Sequence, residues 1–324
     1  MYELSILIPA RSEMFLRKTV QDILSNIEAN TEIIVVLDGE WADPALDYHE
    51  RVTVIYHPVS IGQRAACNTA ARIAKGKYIM KVDAHCSFDK GFDRKMIEDM
   101  KNDYTMVPVM RHLWAFDWVC IDGHRRYQSP SGACKECGKP TIREITWKTT
   151  AKKGDTARGQ WKGENCPHNT SYCFDTEPHF QYFKEFSKRP EAQWDITETM
   201  SLQGSCFMCT KKKYFELNLC DESLGSWGSQ GIEVAVKTWL SGGRVLVNKK
   251  TWYAHMFRTQ GGDFSFPYEQ SEKKIQDAKA KVKDIFFCNK WEKAIHPLSW
   301  LLEKFWPVPG WTDEDLEKLK SLNR

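Results

Sequence analysis

The sequence has no apolar run reaching the ~18 residues that a membrane-spanning helix needs. It has no internal repeat and no Gly/Ser-rich linker. It lacks a charge imbalance: 46 Lys and Arg against 43 Asp and Glu leave a formal +3, so whole-chain charge selects no class of partner. It also lacks the opening of a secretory signal, because residues 1–10 (MYELSILIPA) carry an acid where such a signal carries a base. These absences lead to the expectation of a soluble, intracellular, cytoplasmic chain that makes no membrane contact; they leave the oligomeric state open. Cysteine, by contrast, is plentiful. Eleven in a chain of 324 residues, with no export signal, favour reduced thiols or metal ligands over a disulfide framework. With 42% apolar and 27% charged residues, the chain is an ordinary globular protein of one large domain or two modest ones.

The first third alternates strand and helix signals. ELSILIP (3–9), TEIIVVLD (31–38), RVTVIYH (51–57) and KYIMKVD (77–83) read as buried strands. Between them, Leu16, Val20, Ile23, Leu24 and Ile27 recur at helical spacing over 14–29, and Ala-rich 63–75 is a second helix stopped by Gly76. Strands separated by such helices predict an α/β fold, a mostly parallel sheet flanked by helices. Ligands of such sheets lie beyond the strands' carboxyl ends, where Asp38 and Asp83 fall. Residues 112–196 lose the apolar periodicity. Regularity returns with a strand and helix over 205–217, an amphipathic helix over 231–243 and a strand from 244. The last segment, 263–324, reads as a polar helical extension whose aromatic stretch, 296–311, packs back on the body.

Asp83-Ala84-His85 places a carboxylate and an imidazole two residues apart at a strand end. In extended backbone, positions i and i+2 point the same way, so both can reach one divalent ion, and an O,N donor pair suits manganese better than calcium. His255, in WYAHMFR, ends another strand-like run and is the candidate third ligand. Read alone it is better taken as a packed core histidine beside Trp252, Tyr253 and Phe257.

VDAHC (82–86), GSCFMCTKKKYFE (204–216) and SWGSQGIEVAVKTWLSGGRVLVNKKTWYAHMFR (226–258) together resemble the catalytic domain of the polypeptide N-acetylgalactosaminyltransferases. With SILIPARSE (5–13), IIVVLDG (33–39) and 62–85, the chain more broadly resembles family 2 glycosyltransferases of the GT-A, Rossmann-like fold. The resemblance covers about 1–112 and 197–258. It implies a GT-A domain over 1–262, interrupted by a Cys-rich insert at 113–196 and followed by the extension at 263–324. It implies a UDP-sugar donor and Mn2+ or Mg2+ held by Asp83, His85 and His255. Pro9, Arg11, Asp38, Asn68 and Asp83 match the cofactor-binding positions, although Cys67 replaces the Arg that precedes the family's Asn. Trp227 and Gly228 match the loop over the sugar, where Gln230 replaces a Glu; Glu233 keeps a later acid, and Arg258 matches an Arg near the diphosphate. Gly231 stands where inverting relatives carry their general base, so the resemblance implies retention, with Trp227, Gln230, Glu233 and Arg258 as the catalytic set.

The insert contains Cys134-x2-Cys137-Gly, a tight thiolate turn, and then Cys166, His168 and Cys173. Two ligand clusters about thirty residues apart would make one structural zinc site, with its fourth ligand ambiguous; free thiols are the alternative. Cys120, Cys206 and Cys209 read as packing residues. Residues 135–162 carry eight Lys or Arg against three acids, with Trp147 and Trp161 interleaved. Cations with stacking rings suit nucleic acid, and a hydroxymethylated base in DNA would present the alcohol, once extruded. Protein or polysaccharide acceptors remain alternatives, as does an inactive module that binds nucleic acid.

Overall fold

A computed structural model describes residues 2–149, 170–226, 228–258, 264–268 and 272–322. The N-terminal half runs β1 (Leu4–Ala10), α1 (Leu16–Asn26), β2 (Thr31–Asp38), β3 (Val52–His57), α2 (Gln63–Ile73), β4 (Tyr78–Val82), β5 (Cys86–Phe88), α3 (Phe92–Glu98) and β6 (Tyr104–His112). β1, β2 and β4 are buried along their whole length, as strands covered on both faces must be. α2 lays Ala66, Ala70 and Ala71 on the sheet, small residues that permit close approach.

A small sheet follows: β7 (Trp114–Cys120), β8 (Arg125–Tyr127) and β9 (Thr141–Lys148), in the order β8-β7-β9. Then come the pair β10 (Tyr172–Phe174) and β11 (Phe180–Tyr182), β12 (Ile196–Glu198), β13 (Cys206–Thr210), α4 (Lys211–Glu216), α5 (Gln230–Leu240) and β14 (Arg244–His255). α6 (Glu272–Val282), α7 (Leu298–Phe305) and α8 (Asp313–Ser321) form the C-terminal extension.

The main sheet runs β12-β14-β6-β13-β4-β1-β2-β3, with β5 added to β14. β3, β2, β1 and β4 pair in parallel, as do β6 and β14, and antiparallel β13 joins the two groups. This is the α/β, largely parallel architecture anticipated above.

Two features depart from the sequence reading. The second half of the expected insert is not a separate lobe: Tyr172, Phe174, Phe183 and Phe186 join the main core. And α5 is buried at every position rather than on one face, because α7 covers its outer side, with Trp239 packed on Trp300 and Phe305. Cys206 and Cys209 are fully buried packing residues, as expected. No helix among the described residues is long and apolar enough to cross a membrane.

Candidate metal centre and donor cleft

β4 ends at Val82, and Asp83-Ala84-His85 carries the chain into β5. β5 pairs antiparallel with the end of β14, His255 opposite Cys86, and Met256 N–H donates to the His85 carbonyl at 3.2 Å. Backbone pairing therefore brings together ligands about 170 residues apart. His255 Nε2 lies 3.1 Å from His85 Nε2 and 3.3 Å from Asp83 Oδ2, and His85 Nε2 lies 3.8 Å from that oxygen. Two imidazole nitrogens and a carboxylate oxygen converge on one point, a donor set that fits a borderline divalent ion.

The surroundings prepare these groups. His85 Nδ1 lies 3.0 Å from Glu13 Oε2, which orients the ring and leaves Nε2 its lone pair. The other Glu13 oxygen accepts from Arg258, whose guanidinium lies 3.9 Å from the centre of the Phe264 ring. Burial pushes the His255 imidazole down to about 4, with the Asp83 hydrogen bond opposing and His85 and Lys81 assisting, so at neutral pH it is the uncharged ligand form. Burial would raise Asp83, but Lys81, helped by His255 and His85, holds it far below the usual carboxylate range. Lys81 is itself fully buried; burial would lower it, yet Asp83 raises it overall. Its Nζ donates to Asp83 and, at 2.7 Å, to the Gly204 carbonyl. Asp83 keeps 19% of its side chain exposed and opens onto a cavity of about 700 Å³ lined also by Gln63, Lys81, Ser205, Gln230 and Ala278.

On the other side, Pro9 is buried near the end of β1. Arg11 donates to the carbonyls of Asp38 and Pro267, each at 2.9 Å. Asp38 accepts from Ile61 N–H (2.6 Å), Gly62 N–H (3.0 Å) and the Ser60 hydroxyl (3.0 Å). It fixes the loop that launches α2.

Several expected site residues have other work. Asn68 donates to the Cys220 carbonyl and Glu222, at 2.9 and 2.8 Å, and accepts from Tyr214. It does not line the cavity, because it lies about 140° round α2 from Gln63. Glu233 is fully buried and takes Arg64 Nε and Lys237 Nζ, each at 2.9 Å, and Asp221 N–H at 2.8 Å. A carboxylate so engaged cannot meet substrate; the expectation that it is catalytic is corrected to a positioning role. Through it Arg64 is aimed at the carbonyls of Gly225 and Gly228, at 3.0 and 2.6 Å, and so holds the loop at the cavity mouth. Gln230 does line the cavity, and its Nε2 lies 3.1 Å from Cys220 Sγ. Trp227 lies outside the described residues. At Gly231 a Cβ would stand 2.0 Å from the Leu202 carbonyl oxygen, so no side chain, and no general base, fits there.

Sequence reasoning missed Lys81, Glu13, Arg64 and Gln63. Only Lys81 left a local signal, its alternation with Asp83 in KVD. The other three act on residues distant in sequence.

Residues 5–175 match the family described as Glycosyl transferase family 2. That is more than half of the chain, which therefore belongs to this family. A Drosophila melanogaster protein named as polypeptide N-acetylgalactosaminyltransferase 13 is 22% identical over 279 residues, 81% of this chain and 42% of that relative. Polypeptide N-acetylgalactosaminyltransferase 4 of Mus musculus is 21% identical over 208 residues, 64% of this chain and 30% of the relative. The crystal structure of GalNAc-T7 with UDP, GalNAc and Mn2+ shares the fold, with a TM-score of 0.59 at 16% identity, covering all of this chain and 55% of that one. The chain spans less than half the length of either of these two relatives.

Proposed function

We propose that the chain transfers a sugar from a UDP-sugar to an acceptor hydroxyl with a divalent ion, Mn2+ foremost, at Asp83, His85 and His255. The convergence of these three donors beside an open cavity carries this reading; the GalNAc-T7 structure with UDP and Mn2+ supports the choice of donor and ion. When bound, the ion would neutralise the charge that develops on the departing diphosphate. Lys81 keeps Asp83 ionised, Glu13 orients His85, and Arg258 adds a fixed positive charge through its pairing with Glu13. The Asp38 loop and Arg11 shape the nucleoside side, while Arg64 and Glu233 hold the loop over the cavity. Retention is the proposed outcome, because Gly231 has no room for an inverting enzyme's base.

The proposed acceptor is a hydroxymethylated base in DNA, supported by the eight basic residues against three acids over 135–162. A polypeptide hydroxyl is the second reading, favoured by the names of the relatives. An inactive nucleic-acid-binding module is disfavoured by the support that Lys81 and Glu13 give to the three ligands.

The test is UDP release from labelled UDP-sugars with and without Mn2+, followed by acceptor mass measurement on hydroxymethylated DNA, plain DNA and Ser/Thr peptides. We expect Mn2+-dependent release that Asp83→Ala abolishes, and a mass gain of one hexose or N-acetylhexosamine on hydroxymethylated DNA alone. Release from no donor would overturn the enzyme reading. A gain on peptide instead of DNA would replace the acceptor, and activity surviving in Asp83→Ala would overturn the metal assignment.

A further inference from the structure

At the far end of the small β8-β7-β9 sheet, four side chains converge that no part of the transfer reaction uses. Cys120 closes β7 and His124 precedes β8; the turn between them is fixed by Gly123 N–H to the Cys120 carbonyl at 2.9 Å and Cys120 N–H to the His124 carbonyl at 3.2 Å. Facing it is a second turn, Cys134 to Gly138, closed by Gly138 N–H to the Cys134 carbonyl at 2.9 Å, with Gly138 at φ +71°. From these turns Cys120 Sγ, His124 Nδ1, Cys134 Sγ and Cys137 Sγ lie within 4.8 Å of one another.

The separations are the decisive observation. Tetrahedral zinc, with Zn–S near 2.3 Å and Zn–N near 2.0–2.1 Å, requires S···S of about 3.8 Å and S···N of about 3.6 Å. Cys137 Sγ lies 3.7 Å from Cys120 Sγ, and His124 Nδ1 lies 3.5 Å from Cys120 Sγ and 3.6 Å from Cys134 Sγ. The cysteines are free; a disulfide would bring two sulfurs to about 2.05 Å. The outer contact agrees. His124 Nε2 lies 3.5 Å from Glu136 Oε2, the carboxylate–histidine arrangement that fixes a ligating ring.

We propose that Cys120, His124, Cys134 and Cys137 hold a structural zinc ion. This replaces the ligand set expected from sequence. Cys134 and Cys137 stay; Cys120 is a ligand and not a packing residue; His124 is new. Cys173 stands in β10 within the main core, and Cys166 and His168 lie outside the described residues. The local need is plain: between 121 and 140 only Tyr127 and Cys134 are buried, so this stretch has almost no apolar core and an ion takes its place.

Metal analysis of the full chain after dialysis, together with Co2+ replacement, tests the proposal. We expect one zinc per chain, retained in Asp83→Ala, and a Co2+ spectrum with tetrahedral d–d bands and thiolate charge transfer. Cys134→Ser should lose the zinc. His124→Cys should keep it and raise the charge-transfer intensity as the thiolates go from three to four. Wild-type chain without zinc and without a tetrahedral thiolate–Co2+ spectrum overturns the proposal, as does zinc that vanishes in Asp83→Ala or persists in a folded Cys134→Ser. Should Cys134→Ser fail to fold, the wild-type and His124→Cys measurements decide alone.

Discussion

Glu233 and Arg64 show how much one buried charge can organise. Removing one member of such a network leaves the others unpaired in the interior, a loss of ~3–5 kcal/mol. Glu233→Ala should therefore lower unfolding stability by about that amount in a urea titration. A variant of normal stability that has lost only turnover would return Glu233 to the chemistry. The same distinction explains what was legible at this scale. Asp83 and His85 announce themselves because two ligating side chains end an apolar strand, and His255 because it ends another. Arg64 and Glu233 are 169 residues apart, and neither carries a local mark of its partner. Glu13 likewise sits 72 residues before the histidine it orients.

At the scale of elements, the approach of α5 to the segment before β13 decides the shape of the cleft. Gly231 in the first turn of α5 touches the Leu202 carbonyl, and a Cβ there would also stand 2.8 Å from Gly204 N. Gly231→Ala must push two cavity walls apart. It should cost ~1–3 kcal/mol, as overpacking does, and reduce UDP release; a variant with unchanged melting and unchanged release would show that the walls yield freely. The first four strands were legible almost to the residue, β2 matching its expected span of 31–38, because unbroken apolar runs between helices leave little choice; β5 and β6 were not read from the sequence. β10, β11 and β12, at three residues each, are too short to show a period, so their union with the main core was hidden. The turns proposed to hold zinc fall between these cases: Cys134-x2-Cys137 was visible as a tight thiolate turn, but the approach of Cys120 and His124 depends on strand pairing, which spacing does not encode.

For the whole molecule, the core runs unbroken from the first strand through the C-terminal helices: Leu298, Leu301, Leu302 and Phe305 share it with β1 and β2. Acid should therefore unfold the part of the chain that shares this core as one body. His112, at the end of β6, contributes a definite share. Burial pushes its imidazole down to about 4, against about 6.5 in the unfolded chain. The unfolded chain takes up the proton first as pH falls, so the native advantage is complete above about 6.5 and drains away towards 4. The loss from this group is ~2 kcal/mol at pH 5. Denaturant midpoints at pH 7.5 and pH 5 should show this, and His112→Gln should flatten the difference; a profile that the substitution leaves untouched would assign the acid sensitivity elsewhere.

The pairing of β5 with β14 has one more consequence. Since Met256 N–H and the His85 carbonyl are already joined, the backbone that carries the three donors of the proposed metal site is fixed by peptide groups rather than by an ion. Such a seat can be emptied and refilled without disturbing its walls. The ion would then be an exchangeable cofactor: apoprotein should keep in storage and recover full turnover within mixing time of adding Mn2+. In the turns proposed to hold zinc, by contrast, the metal and the local structure should come and go together.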